Sequence, residues 1–442
     1  MCIRDSVSAM LSGVMIKTGA YGLMRYFLWL PANVGADLFE MELWGILVSL
    51  LGTITLLTGA VQALKQQRSK RLLAFSSIGQ IGYIMLGTGA CMALLGNGES
   101  GRKLAIVGLT GALFHVLNHG LFKALLFLNA GSLLHATGTQ DLNRMGGLVR
   151  FMPVTAATAC VGALSISGVP LLNGFASKWH IYSACIMGSA FVHCLALCGL
   201  VAILTSAITL ALFLKFCGAS FFSRTSTLVE DRLLLLGRLE VGALMQFPQV
   251  FLALACVVLG IFPVMGAGLM TTAIGMSHSG LAAGLVKEVD VSAITLWNIT
   301  FPDGQAGFVP LAIGGLLGSG FLLAVLVNRA GGSKRRRAEP WLCGYARQSE
   351  HNRYRADGYY LELKHILSRL RKAWFGLGVR AAQIVSCSGR DENDEGLEIL
   401  RGSRQPSKGK NLSLMMPVRH EGDKVPSRNR SIGSDYPSGS QQ

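Results

Sequence analysis

The stretch LFHVLNHGLFKALLFLNAGSLLHATGTQDLNRMGGL, residues 113–148, decides how this chain is read. As far as Leu134 it is apolar enough to lie in lipid, yet it carries His115, His119 and Lys123 at i, i+4 and i+8. A helix stacks these three along one face over roughly 12 Å. Imidazole relays protons near neutral pH, and a lysine partly stripped of water gives up its proton more readily, so the trio can load and unload. The plainer reading has the histidines bonding between helices and the lysine reaching for an interface. Leu121, Phe122, Leu125, Leu126 and Phe127 enclose Lys123 on both sides, which works against that reach.

The rest of the chain agrees with a membrane setting. At 442 residues and 51% hydrophobic, with mean hydropathy +0.46, it is expected to be an all-α polytopic membrane protein. The net charge of +16 comes largely from Lys334 to Arg337 and from the tail after about residue 345, so it argues for juxtamembrane charge and not for nucleic-acid binding. Six of the ten cysteines, Cys160, Cys185, Cys194, Cys198, Cys217 and Cys256, fall singly in or beside apolar runs and read as small buried hydrophobes. No signal peptide precedes the first span, which begins almost at once.

Apolar segments long enough for about 30 Å of hydrocarbon occur near 7–30, 43–64, 72–96, 104–134, 150–189, 190–217, 248–272 and 306–327. The fifth is interrupted by Ser165, Ser167, Gly168, Pro170 and Gly174 and reads as one discontinuous helix. Lys65, Arg68, Lys70 and Arg71, then Arg144 and Arg150, then Lys215, Arg224, Arg232 and Arg238, then Lys334 to Arg337 share one side only if that segment crosses once. Arg102 and Lys103 are a local exception. The opposite loops carry Asp37, Glu40 and Glu42, or Glu288, Asp290 and Asp303, so the basic side is expected to be cytoplasmic, with eight crossings of the inner membrane and both visible termini on the cytoplasmic side. Residues 359–375 alternate apolar and basic residues as an interfacial helix does, and the composition after about 385 is that of a disordered tail.

Two more lysines lie at membrane depth. Lys17 sits in SGVMIKTGAYGLMRY, residues 12–26, where small residues leave room for a close neighbour; Lys178 follows the interruption at 168–174, where an opened helix exposes backbone groups beside the charge. Lys70 with Arg71 reads as a topological anchor. Asp141 and Arg144 are placed to set the loop after the histidine helix, His135 stands near an entry, and Lys215 and His193 are candidate outlets close to span ends. Ser76, Ser77 and Gln80 are polar in an apolar helix, fit either to hold water or to pack a neighbour.

The runs SVSAMLSGVMIKTGAYGLMR (6–25), SKRLLAFSSIGQIGY (69–83), the stretch 113–148 and ALSISGVPLLNGFASKW (163–179) together resemble the antiporter-like proton-conducting membrane subunits of respiratory complex I, multisubunit sodium/proton antiporters and membrane-bound hydrogenases. Within that family HVLNHGLFKALLFLNAGSLLHATGT and PWLCGY at 340–345 look most like the large B subunit of hydrogenase-4 and its formate hydrogenlyase counterpart. The resemblance implies that Lys17 matches the lysine of the eighth family helix, that Lys123 with His115 and His119 forms the central relay, and that Lys178 matches the titrating residue of the broken twelfth helix. Many hydrogenase-type members have glutamate there, so this lysine leans toward complex I. It also implies seven further helices ahead of residue 7, with a glutamate and a lysine that this chain lacks, so the expectation is the C-terminal half of an inverted repeat in an N-terminally incomplete protein.

The resulting division is 1–6, matching nothing in the family; 7–272, the proton-conducting domain; 273–330, a loop and a further transmembrane helix; 331–384, a basic cytoplasmic segment; and 385–442, the tail. The expected function is proton translocation along Lys17, His115, His119, Lys123 and Lys178, coupled to electron transfer in partner subunits of a complex I-like or hydrogenase assembly. The chain is expected to hold no cofactor, metal or redox centre of its own, since it shows no CxxC cluster and its GTGA at 87–90 falls within a helix. Two rivals are a sodium/proton antiporter subunit, disfavoured because the axis offers mostly nitrogen, and a structural subunit whose charges only lock helices together.

Overall fold

A run of about twenty apolar residues satisfies its backbone polar groups in lipid by forming an α-helix, and the described residues of this chain are mostly helical. The computed structural model describes residues 3–29, 40–276, 294–295, 298–300, 307–332, 353–362, 364–366 and 369. Those before 369 belong to one compact unit, 1–368, and residue 369 to a second, 369–442. Lys334 to Arg337, PWLCGY, Asp37, Glu288, Asp290, Asp303 and the tail after 385 lie outside the described residues, as does most of 359–375, of which 361–362, 364–366 and 369 are helical.

Helix α1 runs without a break through Ile3–Met10, Leu11–Met15, Ile16–Met24 and Arg25–Trp29, the second and fourth stretches being π-helical. Then follow α2 (Met41–Lys65), α3 (Ser69–Leu94), α4 (Gly98–Thr137), α5 (Pro153–Ser167), α6 (Asn173–Gly188) and α7 (Cys194–Cys217), which a π-turn extends to Phe222. The remainder is α8 (Thr227–Leu236), α9 (Ala243–Ile261), α10 (Pro263–Gly275) and α11 (Pro310–Ala330). Between α10 and α11 three short antiparallel strands, β1 (Ile294–Thr295), β2 (Asn298–Thr300) and β3 (Gly307–Phe308), pair Ile294 with Ile299 and Ile299 with Phe308. This small sheet is the departure from helix in the stretch expected to be a loop; its isoleucines and threonines suit strands.

Among the described residues six helices are long and apolar enough to cross a membrane: Met41–Lys65, Ser69–Leu94, Gly98–Thr137, Cys194–Phe222, Ala243–Ile261 and Ala312–Ala330. The expected span 248–272 is instead α9 and α10, because Pro263 lacks the N–H to continue the first and opens the second. The expected break in 150–189 is present. Gly168 (φ 79°) and Leu171 (φ 74°) turn left-handed between α5 and α6, and Leu171 holds that conformation at a cost of about 1 kcal/mol.

Helix α4 is the axle, buried along most of its 40 residues. The α2/α3 pair approaches closely because Gly45, Gly52 and Gly59, one every seventh residue, face Ala93, Leu86 and Gly79; a Cβ at Gly52 would stand 2.7 Å from the Leu86 backbone nitrogen. The basic loops meet at one end of the bundle: Arg68 bridges to Asp141, Ser69 N donates to Gln140 O at 2.9 Å, Ser226 Oγ donates to Arg144 O at 2.9 Å, and Arg353 donates to the Asn143 and Met145 carbonyls.

Candidate functional site

Lys17, His115, His119, Lys123 and Lys178 are all buried, though α1, α4 and α6 are far apart in sequence. None of these lysines pairs with a carboxylate. Among the described residues the ion pairs are Lys103 with Glu99 and Arg355 with Asp357, at the surface. Carbonyls and hydroxyls hold the ammonium groups instead.

The π-turn Leu11–Met15 widens α1 just before Lys17, and Lys17 Nζ reaches back to Ser12 O at 3.2 Å and to Gly13 O. Gly120 of α4 leaves room for the ammonium: a Cβ there would lie 3.7 Å from Nζ. A cleft of about 700 Å³ between α1 and α4 has Lys17 on its wall, and a second of about 540 Å³ between α1 and α3 is lined by Ser12, Ser77 and Lys70.

Ser12 Oγ meets Ser77 Oγ of α3 at 2.8 Å, and Ser77 Oγ donates to Leu73 O at 3.1 Å. Leu73 O also accepts from Lys123 Nζ at 2.8 Å, and Lys123 Nζ donates to Ser76 Oγ at 2.6 Å. Lys17 and Lys123 are thus linked through two residues, Ser12, whose backbone carbonyl takes Lys17 while its hydroxyl meets Ser77, and Leu73, whose carbonyl accepts from both Ser77 and Lys123. Ser76 and Ser77, undecided between water and packing from sequence, bond to the backbone, to Lys123 and to Ser12.

His115 crosses between three helices. Its Nε2 donates to Gln80 Oε1 of α3 at 3.1 Å, leaving Nδ1 to accept from Ser177 Oγ of α6 at 2.9 Å. His119 stacks parallel to it, centroids 6.3 Å apart. Both of its ring nitrogens are buried without a protein partner, so both are open to a proton or a bound water.

Lys178 sits where the broken helix places it. The turn after α5 uses the Leu164 and Ser165 carbonyls, and the next, Ile166 O, accepts from Lys178 Nζ at 2.9 Å, at the negative end of the α5 dipole. Lys178 Nζ also donates to Ser206 Oγ of α7 at 3.0 Å and lies 4.6 Å from the centre of the Tyr83 ring, which also neighbours His115 at 5.7 Å and Tyr182 at 6.3 Å.

The break is pinned to α4 by residues that the reading of the sequence left aside. Asn118 Nδ2 donates to Asn173 O at 2.8 Å, Asn173 Nδ2 returns to Asn118 Oδ1 at 3.1 Å, and Ser165 Oγ donates to Asn173 Oδ1 at 2.6 Å. A polar residue between two histidines of an apolar helix was the available signal. Ser206, Tyr83 and Tyr182 were likewise missed. Of the less certain candidates, His135 and His193 are exposed, while Lys215 is buried and donates to Leu64 O at 2.6 Å and Gln66 O at 2.7 Å, the C-terminus of α2. Among the described residues no group of three or more His, Cys, Asp or Glu is placed to hold a metal ion.

Residues 5–206 match the model of the NADH:quinone oxidoreductase/Mrp antiporter transmembrane family. Hydrogenase-4 component B of Escherichia coli (strain K12) is 41% identical over 219 residues, 48% of this chain and 32% of that protein. The A/B subunit of a probable K(+)/H(+) antiporter of Rhizobium meliloti (strain 1021) is 35% identical over 302 residues, 68% of this chain and 27% of that protein. Among solved structures, a chain of the membrane-bound sulfane sulfur reductase, an archaeal respiratory membrane complex, superposes with TM-score 0.67 at 26% identity, over 89% of this chain and 60% of its own. This chain spans about a third of the length of the curated relatives it matches.

Proposed function

We propose, from the match of residues 5–206 to the model of the NADH:quinone oxidoreductase/Mrp antiporter transmembrane family, that this chain is a proton-translocating inner-membrane subunit of a complex I-like or hydrogenase assembly. It would bind other membrane subunits, take protons from the basic, cytoplasmic side, and move them along Lys17, the His115, His119 and Lys123 relay, and Lys178. The supporting observation is that Lys17, Lys123 and Lys178 are buried and that their hydrogen-bond partners among the described residues are carbonyls and hydroxyls, with no carboxylate among them. An ammonium held by neutral dipoles can lose its proton without leaving a buried countercharge behind. Charge changes in neighbouring subunits would then load and discharge the lysines in turn. Redox chemistry falls to the partners.

The assembly isolated with this chain and reconstituted in vesicles provides the test. Lys123→Ala should abolish coupled proton uptake while electron transfer in the peripheral subunits continues in part; unchanged pumping removes Lys123 from the path.

A second reading, exchange of an alkali cation for a proton, draws on the likeness to the probable K(+)/H(+) antiporter of Rhizobium meliloti. Proton flux in the same vesicles that depends on added sodium or potassium would favour it. Flux indifferent to both would leave proton translocation alone.

A further inference from the structure

Lys178 is bonded on its far side to a group of hydroxyls that the path above does not include. Ser206 Oγ, at 3.0 Å from Lys178 Nζ, is also 2.6 Å from Tyr182 OH and 3.1 Å from Tyr83 OH, and Tyr83 OH donates to Ala202 O at 2.7 Å. Counting protons orients this group. Tyr83 has a single hydroxyl proton and gives it to Ala202 O, so toward Ser206 it is an acceptor. Ser206 then donates to Tyr83, and its two lone pairs take Lys178 and Tyr182. With Lys178 charged, every bonding capacity of Ser206 is filled.

Discharge of Lys178 changes that count. A neutral amine accepts a hydrogen bond, so the serine hydroxyl, set between an amine on one side and two phenols on the other, has two directions to choose from. Tyr83 is fully buried and its proton is tied to a carbonyl that cannot pass it on. Tyr182 OH reaches the same carbonyl only at 3.5 Å and is held less firmly; Tyr182 is half-buried and stands one helical turn beyond Lys178 on α6, away from the basic loops.

We propose that Ser206 and Tyr182 are the proton exit from Lys178: Ser206 takes the lysine proton and hands its own to Tyr182, which releases its phenolic proton toward the surface opposite the basic loops. The two hydroxyls first turn, Ser206 from Tyr83 toward Tyr182 and Tyr182 from Ser206 outward; one N–H bond of Lys178 then breaks as an O–H bond of Ser206 forms, the former Ser206 proton bonds to the Tyr182 oxygen as the Tyr182 proton departs to bulk water, and the hydroxyls turn back. No electron moves. Tyr83 is the fixed wall of the site, its ring facing the ammonium. The inference rests on the reading of Lys178 as a proton carrier.

The test uses the assembly isolated with this chain, in vesicles, with proton uptake and the amount of assembled complex both measured. Ser206→Ala and Tyr182→Phe should each lower uptake roughly a hundredfold, the scale of a positioned proton-transfer group, at unchanged assembly. Ser206→Thr should restore uptake, and Tyr83→Phe should keep it. Should Ser206→Ala fail to assemble, Tyr182→Phe, which removes one hydroxyl and no packing, carries the test. Full uptake in Tyr182→Phe and Ser206→Ala, with Lys178→Ala silent, would overturn the exit and leave the path standing. Full uptake in Lys178→Ala would overturn both.

Discussion

Ser12 of α1 and Ser77 of α3 meet hydroxyl to hydroxyl at 2.8 Å, and among the described residues this contact is the hydrogen-bonded crossing between the networks of Lys17 and Lys123. Lys17 of α1 and Lys123 of α4 are thereby tied through a pair of serines. Ser77→Ala removes the crossing and leaves the Ser12 hydroxyl buried without its partner. The cost in stability should be about 1 kcal/mol, read as a small drop in the melting temperature of the purified assembly. Proton uptake should fall far more steeply than stability, since the two lysine sites lose the contact that positions them against each other. Equal losses in both would place the serines in packing alone.

His119 makes the opposite prediction about stability. Both of its ring nitrogens are buried without a protein partner, and such groups burden the fold that keeps them. His119→Leu replaces them with apolar atoms against Phe122. The melting temperature should hold or rise, by the equivalent of about 1 kcal/mol, while proton uptake collapses. A residue whose removal helps the fold and stops transport is there for transport.

The Asn118 and Asn173 amides bond to each other across the break, one pair of side chains serving both α4 and the start of α6. Asn173→Ala orphans Asn118 Oδ1 and Ser165 Oγ together. It should lower stability by about 1–3 kcal/mol and loosen the turn that presents Ile166 O to Lys178. Hydrogen exchange of the amides at 168–173 reports that loosening, and exchange as slow as in the parent chain would show the turn to be held by its backbone alone.

The heptad glycines of α2 carry a prediction about packing only. Gly52→Leu drives a side chain into the backbone of α3 near Leu86, so the two helices must part. Overpacking of this kind costs about 1–3 kcal/mol, while Gly19→Leu, where a Cβ meets nothing within 4 Å, should be close to neutral. Paired thermal melts of the two variants decide it.

The parts legible in the sequence were those that break an apolar run from within. Lys17, Lys123 and Lys178 interrupt hydropathy, and Gly168 with Pro170 interrupts a helix, each at a place a reader can see without knowing what packs nearby. Ser12 with Ser77, Asn118 with Asn173, and Ser206 with the two tyrosines are partnerships between helices up to 123 residues apart, and helical periodicity describes only one helix at a time. The spacing of Gly45, Gly52 and Gly59 was visible and went unread because glycine carries no charge to draw attention. Placing span ends by hydropathy also slipped at Pro263, where an apolar run continued across a helix boundary set by backbone chemistry.

Lys215 tests how far burial of a charge implies transport. It lies beside a span end, as an outlet would, yet its ammonium donates to Leu64 O and Gln66 O, two carbonyls freed where α2 ends. A cation there completes the C-terminus of the helix and meets the negative end of its dipole. Lys215→Met keeps the length of the side chain and removes its donors, leaving both carbonyls unsatisfied at the turn that leads into α3. Stability should fall by about 1–3 kcal/mol, whereas proton uptake per assembled complex should stay at the parent rate, because among the described residues no hydrogen bond joins Lys215 to Lys123 or to Lys178. Uptake that falls with stability unchanged would instead return Lys215 to the path, as a port beside the Gln66 turn.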